Sequence, residues 1–416
     1  KIIILRLYVL PTHMHEASIF SKVTMQNYNN LTRTQLLYGS NEENEVGRKI
    51  KYLGGTRVLL HYSKNINNLN NLLDKIKRSL RLTGLDFVEL SEDDSKTPKI
   101  DTIFNGIKIC REENVDFVLA VGGINEFTIA KLIAVASPYD DNFYNIFKKE
   151  YDIEQAIPIG IVSTTICTGV ANSDCASVAH RLSDGSLTFY SCSSEFLYPK
   201  FIIYSPELCL YDDMSLESNV VSIISLLLHR YFAKNKVSLL SDNITEAALK
   251  TVLLMYNKLK DKPGDLEGIN NLMWASITAY VVPFYSYSDD VSVDILSRAI
   301  VGVFDCSREQ AESIILPAWF EFVQKKHAKK VAKLGSSVFN VALDYQSLET
   351  TSKNTVKLIK EMFTKFGLPT TLSQINGDAA DIERILYKAG FPEIGNIGNY
   401  EKLDKTDCEV ILSLAL

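Results

Sequence analysis

The chain has 416 residues, of which 46% are hydrophobic and 23% charged, with a formal net charge of -6 and a pI near 5.7. That length allows two sizeable cores, and the acidic balance gives no global attraction to nucleic acid or to an anionic membrane. Seven cysteines, an odd number without C-x-x-C spacing, argue against a disulfide framework and a zinc knuckle and fit a reducing cytoplasm; no apolar stretch reaches the length of a membrane span.

In chain order, residues 1–24 read as an N-terminal extension and Met25 as the start of the domain proper. Residues 56–62, 86–90, 115–121 and 157–162 are short aliphatic runs expected as buried strands. Between them, 70–81, 100–113 and 127–136 carry apolar residues at helical spacing. This rhythm predicts a parallel sheet covered by helices on both faces. The character changes near Pro206. Helices are predicted over 219–232, 272–282, 295–303, 310–326, 352–366 and 378–389, with a kink or break at Pro317. The basic run from Lys325 to Lys330 is expected on a solvated helix face. The fold class is therefore α/β followed by all-α, divided into domains at 25–205 and 206–416.

Three stretches carry a family resemblance. They are Thr34-Gln35-Leu36-Leu37-Tyr38-Gly39 with Val46-Gly47; Asn114 to Gly123 followed by Ala130-Lys131; and Asn271 to Ser276, Leu316-Pro317-Ala318-Trp319 and Phe366 to Leu372. In order and spacing they resemble the iron-dependent alcohol dehydrogenases, the butanol dehydrogenase branch in particular, over residues 25–416. The resemblance implies a Rossmann-like domain followed by an all-helical domain, the architecture shared with dehydroquinate synthase, with a cleft between the two. It also implies NAD or NADP, a metal ion and a homodimer.

A strand that ends in glycines before a helix suits a dinucleotide phosphate, because backbone amides approach closely and the helix N-terminus favours an anion. The family pattern Gly-Gly-Gly-Ser-x-x-Asp-x-x-Lys reads here Gly122-Gly123-Ile124-Asn125-Glu126-Phe127-Thr128-Ile129-Ala130-Lys131. Ile124, Asn125 and Thr128 replace the third glycine, the serine and the aspartate, and Glu126 adds negative charge. Ser63-Lys64-Asn65 stands for a glycine cluster, Thr97-Pro98 for Asn-Pro, and Thr168-Gly169-Val170-Ala171 for Thr-Gly-Ser-Glu. Any residual NAD(P) site is expected at Gly122, Gly123, Asn125, Thr164 and Thr168, with weak binding or none.

The family's metal is held by an aspartate and three histidines, and it polarises the alcohol oxygen. The corresponding positions here are Ser222, Leu226, Asp294 and Arg308, and Arg298 stands where the family has a further cleft histidine. Leucine cannot ligate and serine is a poor ligand, so iron or zinc is not expected. None of the six histidines falls on a ligand position; His229, on the helix of Ser222 and Leu226, reads as structural. Asp294 and Arg298 lie four apart on one helix, and Arg308 is expected to pair with Asp294 in the former metal position. The cleft candidates are thus Arg298, Asp294 and Arg308. Three readings stay open: a degenerate family member without the dehydrogenase reaction, an active NAD(P)-linked alcohol or aldehyde oxidoreductase with an altered site, and a protein that takes an anionic ligand through Arg298 and Arg308.

Overall fold

The computed structural model describes residues 33–416 except 65–68, 93–99, 141, 149–150, 184, 186, 212–213, 235–238, 282–289 and 392. The extension at 1–24, Asn65 and Thr97-Pro98 lie outside the described residues. The strands are β1 (Gln35–Tyr38), β2 (Arg57–Ser63), β3 (Asp86–Glu92), β4 (Phe117–Gly122), β5 (Ile159–Ser163), β6 (Cys175–Arg181), β7 (Leu187–Ser193) and β8 (Phe201–Tyr204). The helices of the first half are α1 (Val46–Tyr52), α2 (Leu69–Leu82), α3 (Ile100–Glu112) and α4 (Ile124–Ala136). Those of the second half are α5 (Leu216–Tyr231), α6 (Leu239–Asp261), α7 (Leu266–Val281), α8 (Ser292–Phe304), α9 (Arg308–Val338), α10 (Leu348–Lys365), α11 (Asp381–Lys388) and α12 (Lys405–Leu414). An N-terminal parallel sheet followed by a helical half is the architecture the sequence predicts.

Six strands form one parallel sheet in the order β1-β8-β5-β4-β2-β3, while β6 and β7 form a separate antiparallel hairpin. β4 is buried at every residue because both of its faces are covered. Phe117, Leu119 and Val121 pack on the side of α1 and α2, against Val46, Ile50, Leu72, Ile76 and Leu80. Val118 and Ala120 pack on the other side with Phe127, Ile129 and Ile133 of α4. Each buried aliphatic side chain of α2 contributes roughly 2 kcal/mol. The register sets Gly122 beside Ser163, so the carboxyl ends of β4 and β5 open together. In open parallel sheets that edge receives ligands.

Two expectations change. α9 runs through Pro317 without leaving helical geometry, and its non-helical residue is His327 (φ -123°, ψ 34°). The break turns the His327 ring toward Glu401, with Nε2 2.9 Å from Oε2. The basic run is only partly solvated. Lys330 lies 2.5 Å from the buried carboxylate of Asp242 and over the ring of Tyr231, so that segment neutralises a buried acid.

Candidate functional site

The four positions lie on three helices, and contacts tie three of them to one corner. Ser222 and Leu226 are one turn apart on α5, and Asp294 is the third residue of α8. Asp305 ends α8 in the left-handed region (φ 51°), a conformation that aspartate tolerates. Ser307 then caps α9: its Oγ accepts from Gln310 N, while Gln310 Oε1 accepts from Ser307 N. This short turn sets Arg308 at the start of α9 and folds it back over Asp294. The expected contact forms, with Arg308 Nη2 2.9 Å from Asp294 Oδ1. Arg298 Nη2 lies 2.6 Å from Asp294 Oδ2, so both carboxylate oxygens face a guanidinium. Ser222 donates to Glu309 Oε1 at 3.2 Å, which ties α5 to the same corner.

Two partners lie outside the sequence reading. Glu312, one turn beyond Arg308, accepts from Arg308 Nε at 2.9 Å, and Ser191 Oγ of β7 accepts from Arg298 Nη1 at 3.0 Å. Glu312 could have been found from its i, i+4 spacing. Ser191 carries no such signal, because only the hairpin brings it to α8. A cation at a helix N-terminus opposes the helix dipole, and the carboxylates of Asp294 and Glu312 offset that.

The two acids respond in opposite directions. Burial would raise the Asp294 carboxyl, but Arg308 and then Arg298 outweigh it and hold it below the ordinary carboxylate range. Burial dominates at Glu312 and pushes it up to about 7, with Arg308 pulling against it. Glu312 is 1% exposed, and its Oε2 has no partner among the described residues. The Arg308 side chain as a whole is half-exposed.

This donor set does not fit a divalent metal. Leu226 has no donor atom, Ser222 offers one weak oxygen, both oxygens of Asp294 face arginine, and Arg308 is a cation. Among the described residues no cluster of three or more His, Cys, Asp or Glu is placed to hold a metal ion. His229 lines a small cavity with Leu228, Phe232, Asp290, Val293, Leu316 and Trp319. Its Nε2 is buried without a partner among the described residues. Burial holds the ring down near a pKa of about 4, although Asp294 pulls the other way.

The glycine loop lies at the carboxyl ends of β4 and β5. Gly122 ends β4, Gly123 caps α4, Asn125 is in the first turn, and Thr164 N donates to Gly122 O at 2.9 Å. The threonine hydroxyls do not line an open site. Thr164 is buried, and Thr168, fully buried, donates to Ser163 Oγ at 2.6 Å. Lys131 is also internal, with Nζ bound to Ser173 O at 2.7 Å and Oγ at 3.0 Å, and burial lowers its pKa to about 8. Glu126 Oε2 accepts from the Gly123 amide at 2.7 Å, so that amide is already occupied by a side chain of the protein.

Gly169 is structural: its amide donates to Ser276 Oγ at 2.8 Å, and a Cβ would sit 2.2 Å from the Ser276 carbonyl oxygen on α7. Gly169→Ala is therefore expected to cost about 2–3 kcal/mol in a urea titration, because loop or helix must shift. An unchanged midpoint would mean that the loop moves freely off α7.

The profile described as "Iron-containing alcohol dehydrogenase" matches residues 33–206, and that described as "Fe-containing alcohol dehydrogenase family, C-terminal" matches residues 223–416. The chain is 25% identical over 378 residues to NADH-dependent butanol dehydrogenase B of Clostridium acetobutylicum, covering 90% of this chain and 95% of that protein. It is 25% identical over 372 residues to the NADPH-dependent aldehyde reductase YqhD of Escherichia coli, covering 88% and 93%. In fold it is similar to the crystal structure of NADH-dependent butanol dehydrogenase A from Thermotoga maritima, with a TM-score of 0.85, 24% identity, and 94% and 99% coverage. No helix among the described residues is long and apolar enough to cross a membrane.

Proposed function

The chain belongs to the iron-containing alcohol dehydrogenase family, and we propose that it keeps the family scaffold without metal-dependent alcohol or aldehyde chemistry. The supporting observation is Asp294 held between Arg308 and Arg298, at 2.9 and 2.6 Å, where the family resemblance places a metal. A dication entering this corner would meet two fixed positive charges, and their repulsion is large wherever water is partly excluded. Without a Lewis acid the alkoxide leaving hydride to a nicotinamide is not stabilised, which removes several kcal/mol of barrier lowering.

The half-exposed side chain of Arg308 supports a second reading, in which a small carboxylate or phosphate docks on it. Arg298 and the other side of Arg308 already face protein carboxylates, so that site would rest on a single guanidinium face.

The test combines two measurements on the purified chain. Elemental analysis after incubation with iron or zinc is expected to give substoichiometric metal. Butyraldehyde is expected to leave NADH and NADPH unconsumed; the relatives' names make these the dinucleotides to offer. A stoichiometric, tightly held metal that Asp294→Ala removes would overturn the proposal, as would clear metal-dependent turnover.

A further inference from the structure

We propose that Glu126 closes the dinucleotide loop of this chain: its carboxylate takes the place at the head of α4 where a ligand phosphate would sit, and it excludes pyrophosphate-bearing ligands. A glycine loop before a helix offers an anion two things, an amide free to donate and space where a side chain would otherwise stand. Here one side chain takes both. Glu126 Oε2 accepts from the Gly123 amide at 2.7 Å. The same carboxylate fills the space above Gly122: a Cβ there would lie 2.5 Å from Glu126 Oε2, 2.7 Å from Cγ and 2.8 Å from Cδ. Gly122 has a φ of +150°, and its carbonyl accepts from the Thr164 amide at 2.9 Å, which holds the turn where the carboxylate packs on it. Glu126 is 8% exposed. A second anion brought to this amide meets a negative charge in a poorly solvated place, and like charges repel most strongly there. The helix keeps the electrostatics of an anion site, and the protein itself supplies the anion.

This inference rests on the head of α4 and is independent of the metal positions on α5, α8 and α9, so each can fail without the other. It is tested on the full chain by calorimetric titration and thermal shift with NADH, NADPH and ADP. Wild type is expected to show no ligand-dependent stabilisation at millimolar ligand. Glu126→Ala is expected to melt lower without ligand, because a helix cap is lost, and to gain affinity of about tenfold or more over wild type. A purely structural Glu126 would lower melting without any gain in binding. Glu126→Gln, which keeps an acceptor for the Gly123 amide without the charge, serves the same test if the alanine variant fails to fold. Wild type that binds as tightly as the variant, or a folded variant that binds none of the three ligands, would overturn the proposal.

Discussion

Arg308→Ala is expected to destabilise the protein by about 2–3 kcal/mol at neutral pH, somewhat below the range for breaking a fully buried pair because the guanidinium is half-exposed. The substitution leaves Asp294 with Arg298 alone and Glu312 with no cation, while Glu312 stays buried. The loss is expected to be larger at pH 8 than at pH 5. In the wild type, Glu312 has its folded pKa raised to about 7 from an ordinary 4.5. The folded state therefore binds its proton more tightly than the unfolded state between those values, and stability falls as pH rises through that window. Asp294 has the opposite sign: its lowered pKa contributes stability above the ordinary 3.8, which is lost as pH falls through the folded value. At pH 5 the protonated Glu312 needs no cation, so losing Arg308 mainly affects Asp294; at pH 8 both acids are charged. Urea titrations at the two pH values decide it. Equal losses at both would show that Arg308 acts through packing alone. Glu312→Gln provides the control, since it should flatten the wild-type decline, which is on the order of 1–3 kcal/mol.

Rebuilding the ligand set should convert the corner into a metal site. Ser222→Asp, Leu226→His, Asp294→His and Arg308→His, made together, are expected to bind zinc stoichiometrically. Ser222 already touches the residue after Arg308, and Arg308 touches Asp294, so three of the four positions converge in the present structure. Leu226 lies one turn from Ser222 on the same helix. Elemental analysis and a metal-dependent rise in melting temperature are the readouts. A folded quadruple variant that takes up no metal would mean that the helices have moved too far apart to close a coordination sphere.

How much of this can be read in the sequence depends on the residue. The apolar run of β4 has no alternation to confuse it, and the pairing of Asp294 with Arg298 follows from i, i+4 spacing. α6 also carries its signal, with Leu249, Val252, Tyr256 and Leu259 buried at helical spacing, diluted by polar residues along the rest of its length. The β6–β7 hairpin is less legible, because its exposed and intermediate positions are mixed with small and polar residues. That is why Ser191, which reaches α8 only through the hairpin, has no trace in local pattern. Glu126 is visible as a charge beside the glycines. That its carboxylate folds back onto their amide depends on a side-chain rotamer, and no spacing rule specifies one.

The corner around Asp294 also limits how the chain can change by single steps. Arg308→His removes one guanidinium, leaves Asp294 with Arg298 and leaves Glu312 without a cation, which is no metal site. Asp294→His removes the acid that both arginines share. Leu226→His adds a lone imidazole one turn from Ser222 on α5, with no other ligand to share a metal with. None of these three replacements alone supplies a coordination sphere, two of them unpair a charge, and couplings of this kind are not additive. The ion cluster thus acts as a ratchet in sequence space: the route back to a metal centre runs through less stable proteins unless several positions change at once.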